Sequence, residues 1–555
     1  MKHRFAVVLI SIVLLSALVG GLLGSSSAAK SAATSATSLN EFLANFTEAL
    51  DVIQKNYVDD IGSDTLVYSS IKGMLRKLDP HSNFLDPQSF TKMRDDQRSR
   101  YYGLGIRVRA LLRDQGRHVI VEPPSFGTPA QKKGLRTGDV ITRIEGEPID
   151  DWTSDDVVSH LKGPKGTIVN ITIERPGVRD PIEVAVERDE IPLVTVPYVF
   201  ELRPGIGYVK IDRFNESTAD ELGKALDEMG PLTGLILDLR DNPGGLLNQS
   251  IAVSDFFLPR GALIVSTKGR VEGSARTYEA PSDEKIDVPL VVLINKSSAS
   301  ASEIVSGALQ DHDRALIVGE TSFGKGLVQS VYTMTNNTGM ALTTAKYYTP
   351  SGRLIQRDYS NSNSNFEFYY RDAGDDAPKP DKEREIKYTD SKRTVYGGGG
   401  ITPDVVEPAR ELNRFESLLM SKDVFFPYAR KLVTGEVPSA QNFKLPAGEG
   451  EAFQATRGKN AKPLPEFSIT EAILADFRQF LIGRNIEFTD EDLAKNADFI
   501  KRRIRQEVFT SYFGIQEGYR IGVEGDNQVQ KALEEMPEAK ELMLSGHLLA
   551  PAPIK

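Results

Sequence analysis

Cysteine is absent from the 555 residues of the chain. Its absence excludes disulfide bonds, thiolate zinc sites, a cysteine nucleophile and a lipid-modified N-terminal cysteine. Histidine is scarce as well, and the six histidines are scattered without a recognisable metal-binding spacing. The net charge of −10 at pH 7 gives no broad nucleic-acid-binding surface. The composition, with 40% hydrophobic residues, suits a chain that folds into several globular domains.

The N-terminal segment indicates export. Positive charge at residues 2–4 precedes an uncharged run over residues 5–29, and the apolar part of that run is about as long as a bilayer-spanning helix. This order places the N-terminus inside the cell and the remainder outside. Residues 1–29 are a signal peptide, cut after a Ser-Ala-Ala sequence, or a retained anchor in the inner membrane, which the long apolar run favours. Residues 30–38 are predicted to be a linker, and we expect an exported, periplasmic or otherwise extracytoplasmic protein.

The most informative stretch covers residues 289–329. An apolar β-branched run at 290–294 predicts a buried parallel strand. A cluster of serines and alanines follows, and the apolar spacing over 303–310 predicts a helix. A second buried strand at 315–318 leads to a loop over 321–326, in which one lysine stands between two glycines. A strand, a tight turn and a helix in this order hold a turn hydroxyl above the sheet. They also point the helix N-terminus at the group that the hydroxyl attacks.

The serines of this turn are candidate nucleophiles, and their spacing does not separate Ser298, Ser300 and Ser302. A serine nucleophile needs a base. Lys325 is a better candidate than the histidine after the helix, which lies between two aspartates and is predicted to be solvated. An apolar pocket would lower the pKa of the lysine by desolvation, so that a neutral amine could accept the proton. The alternative is structural, because Ser300-x-x-Glu303 also fits a capping box in which the serine only satisfies helix amides.

Two motifs in this stretch resemble those of the C-terminal processing peptidases, also called tail-specific proteases. The first is S-A-S-A-S-E at residues 298–303, and the second is F-G-K-G-x-x-Q at residues 323–329, one helix and one strand later. Members of that family are secreted serine endopeptidases with a Ser–Lys dyad and no cofactor. The resemblance implies that Ser300 is the nucleophile, that Lys325 is the base and that Gln329 orients the lysine.

Residues 101–189 resemble a PDZ domain. Short alternating strands are joined by Gly/Pro turns, and a Gly-Leu-Gly-Ile sequence resembles the loop whose backbone amides hold the terminal carboxylate of a peptide. Residues 128–141 strengthen the resemblance, since they follow the PDZ pattern A-x-x-A-G-L-x-x-G-D-x-I. Tyr102 and Lys133 stand where the family often has glycine and alanine, which bears on the shape of the pocket. The residues implied to bind a substrate C-terminus are Gly103, Leu104, Gly105 and Ile106.

Residues 190–409 are predicted to form the peptidase core. Strands alternate with helices here, which predicts a mostly parallel sheet, and the core of the family is crotonase-like. The predicted strand at 234–240 runs into an Asn-Pro-Gly-Gly sequence, which is a tight turn. Glycine amides at the end of a strand can donate to an oxyanion. The resemblance places the two oxyanion donors at Gly245, with Gly244 as second choice, and at Ala301.

Three further regions complete the predicted architecture. Residues 39–100 are predicted to be helical, and their Asp-Pro-His-Ser segment resembles a family motif in which we interpret His81 as a structural turn residue. Residues 356–395 form a polar insertion in the core, interpreted as a surface excursion. Residues 410–555 exceed the usual family core and are predicted to be a helical extension for packing or oligomerisation. Its predicted helices cover residues 469–481, 490–513 and 529–545.

These features predict a multidomain α/β protein: a crotonase-like peptidase core with an inserted PDZ domain, an N-terminal helical region and an extra C-terminal helical region. We expect an exported serine endopeptidase that cleaves protein or peptide substrates near their unstructured C-terminal tails, without metal, cofactor or nucleic acid. A homo-oligomer and an adaptor partner are left open. One alternative is an exported PDZ-bearing adaptor with an inactive peptidase core. Another is a crotonase-type acyl-CoA enzyme, against which the export segment and the PDZ-like domain argue.

Overall fold

The structure is a computed structural model that describes residues 38–113, 116–125, 127–175, 178–358, 384–438 and 467–549. The predicted signal peptide or anchor, and most of the linker after it, lie outside these residues, as does most of the predicted polar insertion. No helix among the described residues combines the length and the apolar character needed to cross a membrane.

The N-terminal region is helical, as predicted, and ends against the peptidase core. Its elements are α1 (38–56), α2 (Ser63–Leu75), β1 (Asn83–Leu85) and α3 (Pro87–Gln97). The apolar stripe of α1 is exposed, with Phe42 at 68% and Phe46 at 43% relative accessibility. This stripe therefore does not pack into the core of the described chain. By contrast, β1 pairs with a strand of the core, so the segment just before it is held close to that domain.

The next region is a small antiparallel β domain with two helices. Strand β2 (Arg100–Gly103) enters it and pairs with β9 (Asp189–Pro192), which leaves it. The sheet order is β3-β4-β5-β7-β8, with β6 paired to β5. The remaining elements are β3 (Val108–Arg113), β4 (Gly116–Val121), α4 (Pro129–Lys132), β5 (Val140–Ile144), β6 (Glu147–Pro148), α5 (Ser154–Leu161), β7 (Ile168–Glu174) and β8 (Ile182–Glu187). Alternating inward residues of the strands form the core of this domain.

The core domain is built on a mainly parallel sheet of order β10-β11-β12-β15-β16-β21. Every residue of β12 (Gly234–Asp238) and β15 (Leu290–Ile294) is buried. Their side chains alternate between two apolar clusters because helices cover both faces of the sheet. Its other elements are β10 (Tyr198–Arg203), β11 (Ile206–Lys210), α6 (Thr218–Met229), α7 (Leu247–Asp255), α8 (Ala301–Asp311), β16 (Leu316–Gly319) and β21 (Val405–Val406).

A second, antiparallel sheet completes the core domain. Its order is β1-β18-β13-β14, with β17 also paired to β18. The strands are β13 (Leu263–Gly269), β14 (Arg276–Glu279), β17 (Leu327–Thr333) and β18 (Gly339–Tyr348), and a separate hairpin joins β19 (Ile386–Tyr388) to β20 (Thr394–Tyr396). The turns that follow β12 and β15 both lie at the carboxyl edge of the parallel sheet. Open α/β sheets bind ligands at that edge, which directs attention to these two turns.

The C-terminal region is helical and contacts both preceding domains. Its helices are α9 (Arg414–Ser421), α10 (Phe425–Val433), α11 (Glu471–Gly483), α12 (Asp490–Lys495), α13 (Ala497–Phe513), α14 (Ile515–Val523), α15 (Asn527–Glu534) and α16 (Met536–Leu549). Phe426 of α10 packs on Ile120 and Val140 of the small β domain. Asp526, before α15, accepts from Arg240 of the core domain at 2.8 Å. The region thus bridges the two domains.

Two of the predicted C-terminal helices are divided in the structure. The predicted helix over 490–513 is α12 followed by α13, with a break at Asn496. The predicted helix over 529–545 is α15 followed by α16, which starts at Met536. Pro537 explains the second break, because proline lacks the N–H that would continue the earlier helix and is favoured in the first turn of a new one.

Candidate active site

The turn between β15 and α8 holds Ser300 in an unusual backbone conformation. Ser300 is the N-cap residue of α8, with φ 54° and ψ −110°. A residue other than glycine in such a region costs on the order of 1–3 kcal/mol, and such strain is concentrated at functional sites. The residue is half-buried, at the end of a helix that is otherwise wholly buried. Its hydroxyl is therefore carried by a rigid element at the carboxyl edge of the sheet.

Hydrogen bonding separates the three serines that spacing could not separate. Ser298 and Ser302 are fully buried. The hydroxyl of Ser298 donates to the carbonyl of Leu239 at 2.8 Å, and that of Ser302 donates to the carbonyl of Asn242 at 3.0 Å. Both hydroxyls thus attach the serine turn to the end of β12 and the turn after it. Ser300 is the partly accessible member of the three.

The glutamate of the predicted capping box is engaged with the serine turn. Glu303 accepts from the backbone N–H of Ser300 at 2.8 Å, and the backbone N–H of Glu303 donates to the carbonyl of Ser300 at 2.9 Å. The same carboxylate also reaches the loop that contains Lys325, where it accepts from the backbone N–H of that residue at 2.9 Å. A role for Glu303 beyond helix capping was not predicted from the sequence, because this loop is separated from it by a helix and a strand.

Lys325 is half-buried and lies beside Gln329. Its ammonium nitrogen donates to Gln329 Oε1 at 3.1 Å. Burial lowers the pKa of Lys325, and the charges of Glu303 and Asp79 oppose that shift. The flanking glycines permit close packing, since a methyl group on Gly324 would lie 2.9 Å from the side chain of Arg357. Lys325 thus lies between two glycines in a loop where burial lowers the pKa of its side chain, in the direction that the sequence predicts.

The Asn-Pro-Gly-Gly turn touches the serine turn directly. A methyl group on Gly244 would lie 2.8 Å from Ser300 Cβ and 2.9 Å from the Ala301 nitrogen. The N–H of Gly244 is committed within its own turn, because it donates to Asn242 Oδ1 at 2.9 Å. The N–H groups of Gly245 and Ala301 find no acceptor among the described residues. Two backbone donors are therefore available in adjoining turns, and Gly244 is not one of them.

His81 lies at the edge of this site. Asp79 accepts from the backbone N–H groups of His81 and Ser82 at 2.8 and 2.7 Å, so the segment forms a turn held by a side chain. The carbonyl of His81 accepts from the amide of Gln329, which links the turn to the lysine. Burial, together with the charge of Lys325, lowers the pKa of His81 to about 4. The imidazole is thus neutral near pH 7, in a turn that supports Gln329.

The predicted carboxylate-binding loop lies apart from these residues, in the small β domain. Gly103, Leu104 and Gly105 are buried and Ile106 is half-buried. The carbonyl of Leu104 accepts from Ala130 N–H at 3.0 Å. Gly105 has φ 76°, and a methyl group there would lie 2.4 Å from Thr128. Within the described residues, no hydrogen bond or ion pair joins this loop to Ser300 or Lys325.

Tyr347 is a second residue whose place at the site was not predicted. Its hydroxyl lies 3.1 Å from the Ser300 carbonyl oxygen and also donates to the Lys325 carbonyl. The sequence around Tyr347 predicts only a strand, and such a pattern does not indicate contacts with the serine turn or with the loop that holds Lys325. In the part of the chain that is described, no three His, Asp or Glu side chains converge as metal ligands.

The chain matches three family models. Peptidase family S41 matches residues 205–361, PDZ domain matches residues 93–174, and the activating protease CtpB N-terminal domain matches residues 22–89. A carboxy-terminal-processing protease of Bartonella bacilliformis is 42% identical over 324 residues, which cover 57% of this chain and 72% of that protein. The chain belongs to the carboxy-terminal processing protease family.

The chain is also similar to two further proteins. The carboxy-terminal processing protease CtpA of Bacillus subtilis is 34% identical over 356 residues, covering 64% of this chain and 74% of that protein. A solved structure of a photosystem II D1 C-terminal processing protease is 28% identical, covers 65% of this chain and 92% of that chain, and has a TM-score of 0.33. This carboxy-terminal processing protease is thus a serine peptidase of family S41 with a PDZ domain, and its substrates are proteins or peptides. The expected multidomain α/β fold is confirmed.

Proposed function

We propose that this protease uses Ser300 as nucleophile and neutral Lys325 as general base. The observation that carries the proposal is that the backbone N–H groups of Ser300 and Lys325 share one oxygen of Glu303, which brings a strained, half-buried serine close to a lysine whose pKa is lowered by burial. An ordinary lysine, with a pKa of about 10.4, is protonated at neutral pH and cannot accept a proton. Desolvation favours the neutral amine, and Gln329 fixes its direction through the bond to Oε1.

The reaction then follows in two balanced stages. The Lys325 amine takes the proton of the Ser300 hydroxyl as its oxygen attacks the peptide carbonyl carbon, and an oxyanion forms. Collapse of this intermediate expels the amine of the leaving peptide, which receives the proton from Lys325. In the second stage the same amine takes a proton from water as the water oxygen attacks the acyl-enzyme. Collapse of that intermediate releases the new C-terminus, and the Ser300 oxygen receives the proton from Lys325.

The oxyanion is stabilised by the N–H groups of Gly245 and Ala301. Both are backbone donors in adjoining turns without an acceptor among the described residues. Gly244 is a weaker candidate, because its N–H is used by Asn242. Loss of one oxyanion donor typically costs roughly 10²–10³ in rate.

Substrates are delivered as unstructured C-terminal tails. The loop from Gly103 to Ile106 has its backbone fixed by neighbouring hydrogen bonds, and the N–H groups of Gly105 and Ile106 have no acceptor among the described residues. Backbone amides in such a loop capture a terminal carboxylate, and the peptide adds as a strand. Cleavage near the tail, rather than at random sites, follows from this capture.

The protease works outside the cytoplasm, anchored in the inner membrane by residues 1–29. This part of the proposal rests on the sequence alone, since a positive start and a long apolar run are typical of export. Fractionation of cells that express the full chain tests it. We expect the protein to be recovered in the inner membrane and to be degraded by a protease that is added from the periplasmic side. A cytoplasmic protein would refute the assignment.

Cleavage of a reporter with an unfolded tail tests the catalytic assignment. Ser300→Ala and Lys325→Ala are expected to abolish cleavage in the full chain while the fold is kept. Ser297→Ala and Lys296→Ala are matched controls, because both residues are exposed in the same turn. Specific cleavage by the Ser300→Ala variant would refute the assignment. Tail binding without cleavage by the wild type would favour an adaptor with an inactive core.

A further inference from the structure

A single buried carboxylate joins the serine turn to the lysine loop. Glu303 is fully buried and accepts four hydrogen bonds. One oxygen accepts from the N–H of Gly324 and the hydroxyl of Ser322, both at 2.6 Å. The other accepts from the N–H groups of Ser300 at 2.8 Å and Lys325 at 2.9 Å. All four partners are donors, so the group is bonded as an ionised carboxylate, although burial raises its pKa.

A tyrosine makes the corresponding contacts to the carbonyls. Tyr347 is buried, and its hydroxyl lies 3.1 Å from the Ser300 oxygen and donates to the Lys325 oxygen. Burial raises the pKa of Tyr347 well above its ordinary value, which keeps the hydroxyl a donor. Glu303 therefore contacts the backbone N–H groups of Ser300 and Lys325, and Tyr347 contacts the carbonyls of the same two residues.

We propose that Glu303 and Tyr347 are positioning residues that clamp the backbone of the nucleophile to the backbone of the base. The proposal rests on the assignment of Ser300 and Lys325 made above. Ser300 has a strained backbone, which persists only where its surroundings determine it, and the bond to Glu303 is part of those surroundings. Both side chains are buried, and both act through the position of the two reacting groups.

The charge of Glu303 supplies a readout that a merely structural role would not move. That charge raises the pKa of Lys325 and opposes the effect of burial. Removing it lowers the pKa of the lysine, so the amine becomes neutral at lower pH. The acid limb of kcat/KM against pH is therefore expected to move to lower pH in Glu303→Gln, even as the rate at the plateau falls.

Kinetics of the full chain on a tailed peptide test the clamp. Glu303→Gln replaces one acceptor oxygen with an NH2 group, whereas both oxygens of Glu303 accept from backbone N–H groups. A displacement of about 1 Å at the dyad costs about 10²-fold in kcat. KM is expected to change little, because the tail binds elsewhere. Glu303→Asp, which keeps the charge, is expected to leave the acid limb near its wild-type position. Glu416→Gln is the matched control, since Glu416 is also a buried glutamate in a capping box, at the start of α9.

Tyr347→Phe provides a second variant that keeps the packing of the ring. It is expected to lower kcat without moving the acid limb, because a neutral hydroxyl is lost. Tyr428→Phe is its control, as Tyr428 is fully buried and donates to the Ile473 carbonyl at 2.8 Å in the C-terminal region. If Glu303→Gln does not fold, the comparison of Tyr347→Phe with Tyr428→Phe still shows whether the backbone contacts of Tyr347 affect kcat.

The outcomes separate the clamp from the assignment of the dyad. If Ser300→Ala is inactive while Glu303→Gln and Tyr347→Phe keep the wild-type kcat and acid limb, the clamp is wrong and the dyad stands. The clamp is also wrong if each variant and its control lose the same kcat. If Ser300→Ala still cleaves, both proposals fall. We expect kcat to fall in Glu303→Gln and Tyr347→Phe but not in their controls. We expect the acid limb to shift in Glu303→Gln alone.

Discussion

Alanine in place of Gly244 is expected to push the glycine turn away from Ser300. The added methyl group would lie 2.6 Å from the Ala299 oxygen, 2.8 Å from Ser300 Cβ and 2.9 Å from the Ala301 nitrogen. Ordinary contacts begin near 3.4 Å, so the two turns must separate by about 0.5–0.8 Å. This movement acts on the nucleophile and on both proposed oxyanion donors at once.

The magnitude follows from the displacement and from the backbone. A misplacement of about 1 Å can cost about 10²-fold in rate, so kcat is expected to fall by about 10-fold to 10²-fold. Gly244 has φ +96°, where an L-residue is strained. This strain adds a stability cost of roughly 1–2 kcal/mol. The stability cost alone does not lower kcat, because the folded fraction still dominates in a stable domain.

Gly352→Ala separates the two effects. Gly352 has φ +83°, and a methyl group there would meet nothing within 4 Å. The control is expected to lose similar stability and to keep the wild-type kcat. Thermal unfolding and steady-state cleavage of a tailed peptide, measured for both variants in the full chain, give the comparison. If Gly244→Ala cleaves as fast as Gly352→Ala, the contact between the turns does not set the geometry of catalysis.

Three further predictions concern pH, tail recognition and stability. Activity should rise with pH as Lys325 loses its proton. Because burial lowers the pKa of Lys325, the rise should occur below pH 10.5. A kcat/KM profile with its acid limb at the ordinary lysine pKa would contradict a desolvated base. Amidation of the substrate C-terminus should raise KM markedly, and an unchanged KM would rule out capture of the carboxylate by the PDZ loop. Arg240→Ala should cost about 3–5 kcal/mol in denaturant unfolding, because it removes the guanidinium 2.6 Å from the buried carboxylate of Asp238 and leaves the Lys210 amine, at 3.8 Å, as the remaining cation. The exposed pair of Arg260 and Asp283 is the control, and Arg260→Ala should cost less than about 1 kcal/mol; equal losses would refute the argument from burial.

The sequence by itself determined the elements around the site and the kind of chemistry. An apolar run predicted the strand at 290–294, and the structure has it with the same bounds. The predicted helix over 303–310 is α8, which is Ala301–Asp311. These features follow from local periodicity, because a strand buried on both faces and a helix under a sheet impose their pattern on adjacent residues. The paired motifs also indicated the peptidase family, which the comparisons confirm.

Only the tertiary structure decided which groups of the site are free to act. Spacing left Ser298, Ser300 and Ser302 equivalent, whereas long-range hydrogen bonds to the end of β12 and the turn after it engage the first and the last. Glu303 looked like a helix cap, and Tyr347 looked like an ordinary strand residue. Their contacts to both proposed reacting residues arise where β18 and the lysine loop pack against α8, and such a meeting of distant segments leaves no periodic trace in the chain.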